Sequence, residues 1–125
     1  MMLSTSTESI KAYHAHLYFH DEASMEAAMK VASAAQADFP ISIGRFHQRP
    51  VGPHPTWSCQ LSFAAVTFGD FIPWLILNRG NTDVFLHPVT GDDYLDHTQG
   101  ASWLGRSYEL KLEMFRKSSE SVTID

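Results

Sequence analysis

Residues 12–19, AYHAHLYF, alternate apolar and polar positions with period two, which reads as a β-strand. Successive strand side chains point to opposite faces, so Tyr13, Ala15, Leu17 and Phe19 share one face and His14, His16 and Tyr18 the other. The first set needs a covering layer. The second set would then lie on an open face, in a cleft or an interface.

The rest of the chain supplies that layer. Asp21 is the expected N-cap of a helix running to about Ala37, with Met25, Ala28, Met29, Ala32 and Ala35 as its buried stripe. Residues 41–47 (ISIGRFH) and Trp57 to Ala64 read as the second and third strands. Between them lies QRPVGPHPT, whose prolines fix φ and make the loop stiff. Residues 69–79 predict a second helix with Asp70 as cap and Pro73 in its first turn. Asp83 to His87 predicts a fourth strand, and residues 107–115, SYELKLEMF, alternate again as an amphipathic edge strand. The order β-α-β-β-α-β is that of an α+β, ferredoxin-like (split βαβ) antiparallel sheet with helices on one face, here with an added C-terminal edge strand. The expected organisation is a disordered tail over 1–10, one domain over 11–116 and a disordered tail over 117–125. Small open sheets of this kind often pair, which predicts a homodimer.

Composition narrows the function. A net charge of −5, with nine scattered Lys and Arg, argues against nucleic acid as a partner, since an acidic surface repels phosphate. The single cysteine, Cys59, excludes an internal disulfide and suits a reducing compartment. The N-terminus has neither a basic nor an apolar signal region, and the longest apolar run, Phe71 to Leu77, is too short for a bilayer. A soluble, cytoplasmic protein is the expectation. Seven histidines in so short a chain are the anomaly.

His14 and His16 lie on one strand face, roughly 6.5–7 Å apart at Cα, a spacing that can serve one metal or one substrate. A solvated pair on a wet sheet face is the plain alternative. The fourth strand runs antiparallel to the first, so its end brings His87 near His14 and His16, and three imidazoles there would suit divalent iron, copper or zinc. His54, locked in Pro-His-Pro, is a preset side chain. Topology puts its loop nearer the other end of the first strand, so it folds back over the open face, acts from a partner chain or forms a separate subsite. His47 reads as a strand end in solvent. Asp92, Asp93 and Asp96 read as the cap and first turn of a short helix, although Asp96 beside His97 could also orient that ring. Arg45 could hold a carboxylate, Arg49 reads as surface charge, and Trp103 could wall an aromatic ligand.

Three stretches, YHAHLYF, RFHQRPVGPHP and HPVTGDDYLDHTQGASWLG, together resemble the DOPA 4,5-dioxygenase family of fungi and bacteria, in order and spacing, from about Tyr13 to Gly105. One position departs: Val89 follows His87-Pro88 where the family usually carries asparagine, which bears on substrate contacts rather than metal binding. The resemblance implies a ferredoxin-like extradiol ring-cleaving dioxygenase. It would act on a catechol such as L-DOPA or a related phenolic acid, with non-haem Fe(II) and O2. Under that implication His16, His54 and His87 are the candidate iron ligands, and His14 is the substitute and a candidate catalytic group. His97 supported by Asp96 is the candidate acid/base, Arg45 the holder of a substrate carboxylate and Trp103 a wall of the aromatic site. Another metal-dependent enzyme on the same scaffold, and a non-catalytic dimeric small-molecule-binding module, are the alternatives.

Overall fold

Ala12–Phe19 forms β1, followed by α1 (Glu22–Asp38), β2 (Ile41–Ile43), β3 (Trp57–Ala64), α2 (Phe68–Asn78), β4 (Asp83–Val89), α3 (Asp93–Asp96) and β5 (Ser102–Leu104). These elements come from a computed structural model that describes residues 5–115. The tail expected at 117–125, and the first four residues of the one expected at 1–10, lie outside the described residues. Short 3-10 turns occupy Thr7–Ser9 and Ala65–Thr67. The sheet is antiparallel throughout, in the order β2-β3-β1-β4-β5, so the strand with the strictest alternation is the central one. This is the α+β, ferredoxin-like arrangement with a C-terminal edge strand.

The apolar face of β1 lies where its pattern requires. Ala15, Leu17 and Phe19 are buried with Cys59, Leu61 and Phe63 of β3, Val84 and Leu86 of β4, and the inner sides of both long helices. Asp21 caps α1, accepting from the Ser24 backbone N–H at 2.8 Å while the Ser24 hydroxyl serves the cap's own N–H. The stripe of α1 is Ala28, Val31, Ala32 and Ala35, so small residues let the helix lie close on the sheet. Met29, expected in that stripe, is exposed, because it stands about 100° around the helix from Ala28. In α2 the 3-10 turn before Phe68 starts the helix early. Asp70 therefore sits in the first turn rather than at the cap, and Pro73 falls beyond that turn.

Two sequence expectations change with the fold. The second strand stops at Ile43, and pairing resumes only at a bridge between His47 and Ser58. From Ile43↔Leu61 to His47↔Ser58 the chain advances four residues against three, so one extra residue is inserted. Such a bulge reverses the parity of the side chains beyond it. His47 thereby lands beside Ser58, which pairs with Tyr18 on the open face.

Residues 107–115 are not the edge strand. The place beside β4 is taken by Ser102–Leu104, and the following segment turns at Gly105 to run across the open face. Tyr108 there packs on Tyr18 with ring centroids 5.0 Å apart and donates to Asp83 Oδ2 at 2.8 Å. The Lys111 N–H donates to the Pro53 carbonyl at 2.8 Å, tying this segment to the proline-rich loop. The alternation of SYELKLEMF is real, but its apolar side covers the aromatic open face, with Tyr108 on Tyr18, rather than extending the sheet edge. Among the described residues no helix is long and apolar enough to cross a membrane.

Candidate metal centre

The pairing of β1 with β4 creates the site. Its register sets His14 opposite His87 and His16 opposite Phe85, so three imidazoles gather on the open face at one end of two central strands. One ring nitrogen from each of His14, His16 and His87 lies within 4.8 Å of the others. The closest approach is His16 Nε2 to His87 Nε2, at 3.1 Å. His87 Nδ1 lies 2.8 Å from the Pro88 carbonyl, an acceptor only, so that nitrogen carries the proton and Nε2 presents its lone pair to His16. Without an ion, His16 must donate at Nε2. An ion held here would take the Nε2 lone pairs of both rings, with the His16 proton moved to Nδ1.

Burial sets the charge of these rings. His16 and His87 are 4% and 3% exposed. Burial, and then the neighbouring imidazoles His54, His87, His14 and His97, hold His16 well below the usual imidazole value. Burial pushes His87 down to about 4, although its bond to the Pro88 carbonyl works the other way. His14 is lowered too, by burial first and His97 second, with the Asp96 carboxylate opposing. All three are therefore neutral near pH 7, the form that binds metals. The donor set fits a divalent transition metal as an all-histidine group.

His54 reaches the same face by the first of the three routes open to its loop, which folds back within the chain. Its ring centroid is 4.2 Å from that of His16, and its Nδ1 is 2.7 Å from the Tyr18 hydroxyl. Burial, then His97, His87 and His47, push it down to about 4. His54 nevertheless stands beside the three-nitrogen group, and His14, expected as the substitute, completes it. A hydrogen bond to Tyr18 accounts for where His54 points.

His97 arrives from α3, with its ring 4.2 Å from that of His87 and 4.4 Å from that of Phe115. Its expected support by Asp96 is absent. The Asp96 carboxylate accepts from Thr90 N–H at 2.9 Å and from the Thr90 hydroxyl at 2.6 Å, while His97 Nδ1 lies 2.7 Å from the Asp93 carbonyl. Adjacent residues of a helical turn diverge by about 100°, which separates the two side chains. Asp92 caps α3 as its sequence suggested, accepting from the Leu95 N–H.

Trp103 pairs with Phe85 across β4 and β5, and their rings stack at 4.7 Å. With Tyr18 and Tyr108 it forms an aromatic wall beside the imidazoles. Arg45 is exposed and makes no hydrogen bond or ion pair among the described residues.

A cavity of about 170 Å³ opens on the β3 side, lined by His16, His47, His54, Ser58, Gln60 and the Val51–Pro53 turn. It meets the three-histidine group only at His16, while His14, His87 and His97 stand outside it. His47 was legible only as a strand end, because nothing in ISIGRFH marks the inserted residue.

Fold and site define a class: a ferredoxin-like α+β protein with a nest of neutral imidazoles on the open face of its sheet. Residues 13–114 match the model of the Dopa 4,5-dioxygenase family, and the chain belongs to that family. It is 33% identical over 117 residues to an uncharacterised 21.2 kDa protein of Botryotinia fuckeliana, covering 85% of this chain and 64% of that one. It is 29% identical over 123 residues to the DOPA 4,5-dioxygenase of Amanita muscaria, covering 92% of this chain and 54% of that enzyme. The chain thus spans 64% and 54% of the lengths of these two relatives. A crystal structure of a candidate dioxygenase from Nostoc punctiforme superposes with a TM-score of 0.87 at 38% identity, covering 92% of this chain and 99% of that one.

Proposed function

We propose that this chain is a non-haem iron extradiol dioxygenase that opens the ring of a catechol, such as L-DOPA or a related phenolic acid, with O2. The observation that carries the reading is the group His14, His16 and His87, three ring nitrogens within 4.8 Å in a chain of this family. These three residues are the proposed ligands. A ferrous ion held by them would supply the redox chemistry that combines a catechol with dioxygen.

The chain's own side chains carry the proton traffic. A catechol has to shed hydroxyl protons to react, and His97 is suited to take one. Its Nδ1 is committed to the Asp93 carbonyl, so its lone pair is at Nε2, on a ring next to His87. Burial, and then Tyr108, raise the Tyr18 phenol, so Tyr18 keeps its proton. Where Tyr18 donates to His54 Nδ1, His54 carries its own proton at Nε2 and presents that N–H as a hydrogen-bond donor on the other flank. The proline-rich loop and the 105–115 segment, tied at Pro53 and Lys111, keep bulk water from the aromatic wall. Arg45 stays in the proposal only as a surface group near the loop. A cytoplasmic homodimer belongs to the same reading, and sedimentation giving a 14.0 kDa species would remove the dimer.

The deciding experiment is anaerobic reconstitution with ferrous iron, then L-DOPA or caffeic acid, then air. A coloured ring-opened product that needs both iron and oxygen is expected. Iron bound one per chain with no such product would favour another metal-dependent reaction on this scaffold. Failure to hold iron at all would favour a binding module.

A further inference from the structure

The cavity on the β3 side has a floor, a roof and two unlike ends. His16 of β1, with Gln60 paired opposite it on β3 and Ser58 two residues before, makes the floor. Val51, Gly52 and Pro53 make the roof, in a turn closed by the His54 N–H to the Val51 carbonyl and begun by Gly52 at φ +55°. Buried His16 and His54 line one end. Half-buried His47 and exposed Gln60 line the part nearer solvent. At about 170 Å³ it is well under the roughly 300 Å³ where drug-sized sites begin, so it suits one small ring and its first substituent atoms.

The position of His47 is held on both sides. Its N–H donates to the Ser58 carbonyl at 2.9 Å and its carbonyl accepts from the Ser58 N–H at 3.3 Å. The inserted residue before it turns its side chain to the cavity face, while its ring makes no hydrogen bond among the described residues. A fixed backbone carrying an uncommitted imidazole at the outer part of a cavity is suited to reading whatever passes out beside it.

Resting on the functional reading above, we propose that this cavity is the substrate compartment and that His47 selects the substrate by its ring substituent. The ring lies with its diol edge at the His16 end, toward the three-histidine group and His97, and with His54 beside it. The substituent points outward, and the His47 ring donates to a hydrogen-bond acceptor on it, with the Ser58 hydroxyl nearby. For the phenolic acids of the functional reading, that acceptor is the carboxylate of the short tail. Arg45 then has no part in holding that carboxylate.

The test uses the iron-loaded full chain with two probes, catechol itself and 3-(3,4-dihydroxyphenyl)propanoate. Affinity is read by anaerobic titration calorimetry and ring opening by steady-state kinetics. Val51→Trp, which fills the cavity from the roof, should abolish binding of both probes at unchanged iron content. His47→Leu should raise KM for the propanoate at least tenfold, leave its kcat within about twofold and leave catechol unaffected, with His47→Gln restoring much of the loss. The proposal is overturned if Val51→Trp still binds both probes normally. It is equally overturned if His47→Leu impairs both probes alike or neither. If the unaltered, iron-loaded chain binds neither probe, the functional reading fails and takes this inference with it. Normal binding and cleavage with unaffected variants would sink this inference alone.

Discussion

Neutral imidazoles are the property on which the centre depends, and single residues decide it. Alanine in place of His16 or His87 is expected to abolish stoichiometric iron and ring opening together, because each removes a ring nitrogen of the closest pair. His14→Ala should weaken iron binding in the same direction, measurable by metal analysis after dialysis. His54→Ala should leave iron content near one per chain and lower turnover, which separates a flanking hydrogen-bond donor from a ligand. Acid supplies a second check at this scale. His54 and His87 are held down to about 4 from an ordinary 6.5 by burial. Between those values the unfolded chain takes up protons that the folded chain refuses, so stability is present above pH 6.5 and is lost as pH falls toward 4. Each unit of depression is about 1.4 kcal/mol, so the metal-free protein should lose a few kcal/mol over that window, as read from denaturant midpoints. Bound metal should oppose the loss, since it binds the folded form.

At the scale of elements, two irregular segments finish what the regular ones begin. The proline-rich loop carries His54 and the cavity roof, and the segment after β5 carries Tyr108 and Phe115 onto the open face. Gly105 makes the second crossing possible. Its φ of +86° favours glycine, and a Cβ there would stand 2.5 Å from Asp83 Oδ1 and 2.6 Å from Arg79 Nη1. Asp83 also accepts from the Arg106 N–H and from the Tyr108 hydroxyl, so this turn anchors the whole segment. Gly105→Ala should therefore cost on the order of 1–3 kcal/mol in denaturant unfolding and shift Trp103 fluorescence to the red as its cover loosens. Unchanged stability with unchanged fluorescence would mean that the anchor does not matter.

Across the whole molecule, one central strand separates two chemistries. Leu17 lies between His16 and Tyr18 in sequence yet faces the opposite layer, fully buried against the helices. Leu17→Ala should destabilise the protein by about 2–5 kcal/mol while iron content below the unfolding transition stays unchanged. A matching loss of iron from the folded variant would argue that the faces are coupled. Much of this division was already legible in the alternation of AYHAHLYF, which is why the core face, the open face and the meeting of His14, His16 and His87 could be read without coordinates. Period and strand order are local or topological properties, and a linear pattern carries them. What the chain's own pattern left open was set by contacts distant in sequence. The edge beside β4 went to Ser102–Leu104 rather than to SYELKLEMF, because the aromatic face needed a cover. Asp96 turned to Thr90, and His54 to Tyr18. An inserted residue before His47 reversed its face. Sequence alone determined that His14 and His16 share a strand face and meet His87, because period and strand order are carried by a linear pattern. Only tertiary packing decided where His54, His97 and His47 stand around them, because those positions depend on contacts distant in sequence.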